Sequence, residues 1–222
     1  MIPLRDDNPT TLTPIVTVLF IVLNGLVFLY QLSLGSAEER FILSYAAVPA
    51  ELFRAGVTVG DPRVPAGMTV FTSMFLHGGV LHLAGNMLYL WIFGNNIEDA
   101  MGHARFVLFY LLCGVVAVFA HAVTAPNSTV PMVGASGAIS GVLGAYLLLF
   151  PTARVLVLIP LGFVTRLVHV PALIVLGFWI VVQFLNGFFS LDGPGGGVAW
   201  FAHIGGFLAG LVLIKVFQRR RP

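Results

Sequence analysis

Charge is scarce in this chain. Asp, Glu, Lys and Arg make up 9% of its 222 residues, against about 25% in an ordinary soluble domain. That scarcity excludes a water-soluble fold of normal composition. The net charge is only +2, and no basic patch is interleaved with stacking aromatics, so nucleic acid is excluded as a partner. Cysteine is nearly absent. Cys113 stands alone in an apolar run, which excludes an internal disulfide framework and a thiolate zinc site. It reads as buried filler. No internal repeat is evident.

Other absences narrow the chemistry. There is no H-E-x-x-H for a zinc protease. Every Asp and Glu lies in a tail, a loop or the end of an apolar run, so the paired intramembrane carboxylates of an aspartyl protease are missing. His77 and His82 are five residues apart, about 140° around a helix, and make a poor metal pair. The stretch "GASGA" at 134–138 is not the G-x-S-x-G elbow, because a glycine directly follows the serine.

What the sequence does have is apolar length. Hydrophobic residues make up 58% and mean hydropathy is +0.98, the composition of an integral membrane protein. Runs long enough to cross a roughly 30 Å hydrocarbon core fall near 12–34, 78–97, 104–125, 133–150, 167–189 and 198–217. The expected fold is therefore an all-α membrane protein with six transmembrane helices. The first run has no convincing cleavage site after it and reads as a retained span. The fourth is short and bounded by Pro131 and Pro151. The piece "VLVLIPLGF" at 155–163 is too short to span, is broken by Pro160, and is expected to lie at the interface. The chain then divides into a short N-terminal segment (1–11), a six-span domain (12–217, with an outer loop at 35–77) and a basic tail (218–222).

Six spans put both termini on one side, and the Lys/Arg bias chooses which. One arrangement gathers Arg5, Arg105, Arg154, Arg166, Lys215, Arg219, Arg220 and Arg221; the other face keeps Arg40, Arg54 and Arg63. The richer face should be cytoplasmic, with both termini inside. The even-numbered spans then run inward. The last outer loop, with Gly193, Gly195, Gly196 and Gly197 around Pro194, reads either as a plain connector or as a moving cap.

Polar side chains inside a membrane are costly and are functional candidates by default. Span two opens with His77 at its outer mouth, followed by His82 and Asn86 at i and i+4 on one face. Span four begins near Ser136, with Ser140 one turn deeper. Span six carries His203 about one turn inside its start. Each has a plain alternative: helix back-bonding for the serines, interhelical glue for Asn86, satisfied core positions for the histidines. Their convergence at one depth on three spans favours chemistry. A serine hydroxyl needs a neighbouring base to become a nucleophile, and His203 is the candidate. A helix N-terminus at Ser136, the Asn86 amide and the His82 N–H could stabilise an oxyanion. Gly134, Gly137, Gly141 and Gly144 form a small-residue stripe on span four, and Ala202, Gly206 and Gly210 form one on span six. Such stripes let helices approach closely.

"HGGVLHLAGN" (77–86), "GASGAISG" (134–141) and "AHIGGFLAG" (202–210) resemble the three signature stretches of the rhomboid intramembrane serine proteases, in the order and span positions of that family. The resemblance covers essentially the whole six-span core. It implies that Ser136 is the nucleophile and His203 its base, in a Ser–His dyad. It implies that Asn86, His82 and the Ser136 N–H bind the oxyanion, and that His77 is a structural or water-organising position. Gly134, Gly137 and Ser140 support the site. The implied activity is cleavage of transmembrane segments of other proteins near their outer ends, with no cofactor or metal. Substrate would enter from the bilayer past span five, beneath the 193–197 loop, and the protein would sit in a bacterial inner membrane with its site towards the outer face. Two departures stand out. Some members carry a tyrosine where this chain has Ser140, stacking on the catalytic histidine, so the group that orients His203 is open. Some carry Trp-Arg where this chain reads Met68-Thr69. A non-catalytic rhomboid-like binder or chaperone of membrane segments is the alternative, and it would be expected to lack the serine or histidine. A transporter would more often show broken helices or ionisable pathway residues at the midplane.

Overall fold

The structure, a computed structural model, describes residues 1–54, 56–61, 63–161, 164–190 and 198–219. The Gly-rich 193–197 segment, Arg220 and Arg221 lie outside the described residues. The elements run in the order β1 (Ile2–Asp6), α1 (Ile15–Ser33), α2 (Glu38–Tyr45), α3 (Pro49–Phe53), α4 (Ala66–Thr72), α5 (Val80–Met101), α6 (His103–Ala122), α7 (Ser136–Leu149), β2 (Arg154–Leu161), β3 (Val164–Pro171), α8 (Ala172–Ser190) and α9 (Trp200–Phe217). The expected outer loop at 35–77 is largely helical, holding α2, α3 and α4.

Among the described residues, four helices, α1, α6, α8 and α9, are long and apolar enough to cross a membrane. The other two expected spans are of a different kind. Helix α5 has 22 residues but carries Glu98 and Asp99 near its end. Helix α7 has 14 residues, a length of about 21 Å at 1.5 Å per residue. Its residues from Ala138 to Tyr146 are all buried, because α5, α6 and α9 pack around it. A helix enclosed by protein needs neither full bilayer length nor a lipid-facing side.

The glycine stripes account for that enclosure. A Cβ on Gly210 would overlap the Gly141 carbonyl, one on Gly206 the Gly137 carbonyl, and one on Gly144 the Phe207 carbonyl. Backbones of α7 and α9 therefore lie against each other with no side chain between them. Both helices start at the same end, so the first turns of α7 and α9 are neighbours.

Helix α1 is fixed differently. Its N-cap, Pro14, supplies no side-chain hydrogen bond. The buried Glu98 carboxylate from α5 takes that place, accepting from Val16 N (2.9 Å), Thr17 N (2.8 Å) and Thr17 Oγ1 (2.7 Å). An anion at a helix N-terminus satisfies orphan N–H groups and meets the positive end of the dipole. Glu98 also meets His103 Nδ1 at 2.5 Å, at the start of α6.

Two expectations need correction. The fold is mostly helical and not all-α, because β1, β2 and β3 form an antiparallel sheet in that order. The fifth helix starts at Ala172 and not near 167, because residues 154–161 and 164–171 are taken up by β2 and β3. The reason is legible after the fact. Residues 154–171 are rich in Val, Leu and Ile, and Val155 and Val157 turn one face into the core while their neighbours remain partly exposed. That alternation is a strand period. Pro160 lies beyond the last β1 partner, Leu158, where β2 pairs with β3 alone and one edge needs no N–H.

Candidate active site

The first turns of α7 and α9 carry the serine and histidine of the expected dyad. Ser136 is the first residue of α7, and His203 lies in the first turn of α9. His203 Nε2 stands 2.9 Å from Ser136 Oγ, a hydrogen-bond distance. Close packing of the two glycine stripes sets this separation, since both side chains leave their helices at the same level.

Ser136 sits where backbone N–H groups have no intrahelical acceptor and the helix dipole is positive. The chain reaches it through Gly134, whose φ is +120°, a conformation that L side chains rarely adopt. Space forbids a side chain there as well: a Cβ would lie 2.7 Å from His82 Nε2 and 3.5 Å from Asn86 Nδ2. The approach to the serine is thus laid directly over His82 and Asn86, one turn apart on α5. Gly134 N donates to Ser73 O at 2.9 Å, which pins this crossing. Gly137 is equally confined, with a Cβ meeting Ala117 Cβ at 2.6 Å.

The α5 side chains form a connected group. Asn86, 8% exposed, places Nδ2 2.9 Å from His77 Nε2. This uses one of the two N–H bonds of the amide and leaves the other. His82 Nδ1 accepts a long bond from Gly78 N at 3.4 Å, which puts the ring proton on Nε2, the nitrogen facing Gly134. The His77 and His82 rings meet edge to face at 5.1 Å. His77 is fully buried, and its backbone is clamped by Gln31 of α1, which donates to His77 O (2.9 Å) and accepts from His77 N (3.1 Å).

Ser140 takes the plain reading. It is fully buried and its hydroxyl donates to Ser136 O at 2.6 Å, a bond within its own helix. A serine hydroxyl bonded within its own helix offers His203 no stacking ring. Two tryptophans are there instead. The Trp179 ring lies 5.9 Å from the His203 ring at 37°, and Trp200 lies 6.1 Å away at 89°. A further partner was missed from sequence: Gln183 of α8, whose Oε1 lies 2.8 Å from His203 Nδ1. Gln31 and Gln183 both sit inside apolar runs, "LYQLS" and "VVQFLN". Uncharged amides at such positions are a signal as informative as the histidines. Beside the serine is a small recess of about 30 Å³, lined in part by Met74, Gly114, Met132, Ala199 and Ala202.

The sequence model of the Rhomboid domain matches residues 66–220. The chain belongs to the rhomboid family. Its relatives include "Rhomboid protease GluP" of Bacillus subtilis (strain 168), 33% identical over 198 residues, which is 89% of this chain and 34% of that protein. "Putative rhomboid protease YdcA" of the same organism is 34% identical over 116 residues, 50% of this chain and 58% of that protein. "Presenilin-associated rhomboid-like protein A, mitochondrial" of Danio rerio is 33% identical over 128 residues, 56% of this chain and 30% of that protein. This rhomboid chain spans about a third of the length of GluP and of the Danio rerio protein. As a rhomboid with four long apolar helices, it is an integral membrane protein.

Proposed function

We propose that this rhomboid is an intramembrane serine endopeptidase that hydrolyses peptide bonds in or near transmembrane segments of other membrane proteins. The observation that carries the reading is the 2.9 Å contact between Ser136 Oγ and His203 Nε2, at a helix N-terminus and beside two further N–H donors. His203 removes the Ser136 proton as the hydroxyl attacks the scissile carbonyl. The developing oxyanion is met by the Ser136 N–H, Asn86 and His82. The imidazolium returns its proton to the leaving amine, and water then cleaves the acyl-enzyme by the same route. His77 holds Asn86 in place.

The core crosses the membrane six times, with α5 and α7 as the second and fourth spans. The positive-inside rule supports cytoplasmic termini. The sheet bearing Arg5, Arg154 and Arg166 lies at the end where α7 finishes, tied there by Tyr146 Oη donating to Asp6 Oδ2 at 2.6 Å. Arg219 joins the α5–α6 turn at that end, donating through its N–H to Ala100 O at 2.9 Å. Ser136 then faces the outer half of the bilayer of a bacterial inner membrane, and substrates with one or more spans reach it through the lipid. Purified protein reconstituted with a fluorescent single-span reporter tests the reading. Cleavage is expected from the native chain and lost in Ser136→Ala and His203→Ala. Cleavage that persists in Ser136→Ala sinks the nucleophile, and a native chain that binds reporter without cutting it favours a non-catalytic membrane-segment binder.

A further inference from the structure

A general base must present a bare nitrogen to the hydroxyl it deprotonates. A neutral imidazole carries one proton, on either nitrogen, so something must select the tautomer. We propose that Gln183 of α8 is a positioning residue that holds His203 in its Nδ1–H tautomer and so turns the Nε2 lone pair towards Ser136. The proposal rests on Ser136 and His203 acting as nucleophile and base.

One group in this network has a role that cannot invert. The backbone carbonyl of Trp179 can only accept. Gln183 Nε2 lies 3.0 Å from it, so that end of the amide is the NH2 group, and the amide orientation follows from the network. The carbonyl end, Oε1, is then the atom 2.8 Å from His203 Nδ1. A carbonyl oxygen has no proton to give, so Nδ1 must donate. With its proton on Nδ1, the neutral ring has a bare Nε2, and Ser136 Oγ at 2.9 Å becomes the donor of the last bond. Polarity thus passes from a fixed acceptor on α8 through Gln183 and His203 to the serine hydroxyl.

Packing reinforces the selection. Gln183 is 5% exposed, so water does not compete well for its amide. Trp179 precedes it by one turn on the same face of α8 and lays its ring beside His203, limiting rotation of the imidazole. The same two residues therefore fix both the ring's orientation and its protonation pattern. The orienting group is neutral, which avoids placing a carboxylate in the low-dielectric spans. It also stabilises the imidazolium less than an anion would.

The test reads the tautomer first, because that needs no proteolysis. Nitrogen NMR of 15N-histidine-labelled protein, with the His203 signal assigned by its loss in His203→Ala, should show protonated Nδ1 and bare Nε2. The pattern should persist in Ser136→Ala and become mixed or inverted in Gln183→Leu. A native ring protonated on Nε2, or a pattern unchanged by Gln183→Leu, overturns the proposal even if the enzyme cleaves. The kinetic arm expects Gln183→Leu to lower kcat by about 10–100-fold with KM little changed. Gln183→Glu, which keeps an acceptor, should recover much of the rate. It should also move the acid limb of the kcat profile to higher pH, because a carboxylate favours the imidazolium. If Glu and Leu lower kcat equally and no limb moves, Gln183 is merely packing and the proposal fails. Should Gln183→Leu not fold, the native tautomer and the Gln183→Glu profile decide. Failure of the protease reading is seen separately, as no cleavage by the native chain or full cleavage by Ser136→Ala.

Discussion

The proposed function gives Asn86 two tasks at the scale of the residue. One N–H is held by His77, and the other is available to a developing oxyanion. Asn86→Ala is therefore expected to lower kcat by about 10²–10³, the usual loss for one oxyanion donor, and to loosen His77 as well. Comparing kcat with thermal unfolding of the same variant checks this. An unchanged rate would remove Asn86 from the oxyanion site. Gln183 shows why residue-level reading fell short. Its importance depends on facing His203 across an α8–α9 contact, and no spacing rule within either helix encodes that contact. Ser140 shows the reverse case, since its bond to Ser136 O is local and was among the readings its own i−4 spacing allowed.

At the scale of the element, the α7–α9 seam carries the site. Gly210→Ala would drive a Cβ into the Gly141 carbonyl, backbone that cannot rotate away. We expect a loss of about 1–3 kcal/mol together with loss of cleavage, as Ser136 and His203 separate. Gly177→Ala in α8 and Gly25→Ala in α1 have nothing within 4 Å of the new Cβ. They should be neutral or gain up to about 1 kcal/mol from helix propensity. Thermal unfolding in detergent distinguishes the two sets, and equal effects would contradict the seam. The sheet offers a pH test outside the spans. Burial pushes the Asp6 carboxyl above its ordinary 3.8, although the Tyr146 hydrogen bond opposes this. A carboxyl whose folded pKa is raised contributes stability that is complete below about 3.8 and is lost as pH rises through the raised value. Asp6→Asn keeps an acceptor for Tyr146 without the charge. It should thus match or exceed the native melting temperature at neutral pH and lose any advantage below pH 3.8. A clear fall at neutral pH would show that the charged form is the favoured one.

Orientation in the bilayer belongs to the whole molecule. Cys113 is free but buried, so single cysteines can be introduced against a quiet background. Glu39→Cys on α2 and Arg166→Cys on β3 are exposed positions expected on opposite sides. In spheroplasts, a membrane-impermeant maleimide should label the Glu39→Cys protein directly and the Arg166→Cys protein only after permeabilisation. Reversed labelling would invert the proposed topology, and equal labelling would contradict the three crossings, by α5, α6 and α7, proposed between them. The same experiment bears on α5 and α7. The short α7 is compatible with crossing because α5, α6 and α9 pack around it.

The sequence by itself determined that this is a membrane protein, roughly where its apolar helices run, and which serine, histidines and asparagine to compare. Those features follow from composition, from helical period and from motifs written in consecutive residues. It also determined the glycine stripes of α7 and α9, because a missing side chain is visible without knowing what lies opposite. Tertiary structure decided what those residues face. It decided that Glu98 caps a helix distant in sequence, that β2 pairs with both β1 and β3, and that Gln31 and Gln183 meet His77 and His203. Each of these depends on contacts between segments far apart in the chain, where the partner and not the local pattern sets the energy. His203 is the sharpest case: it lies in a motif readable from nine residues, but the Gln183 oxygen 2.8 Å from its Nδ1 comes from another helix.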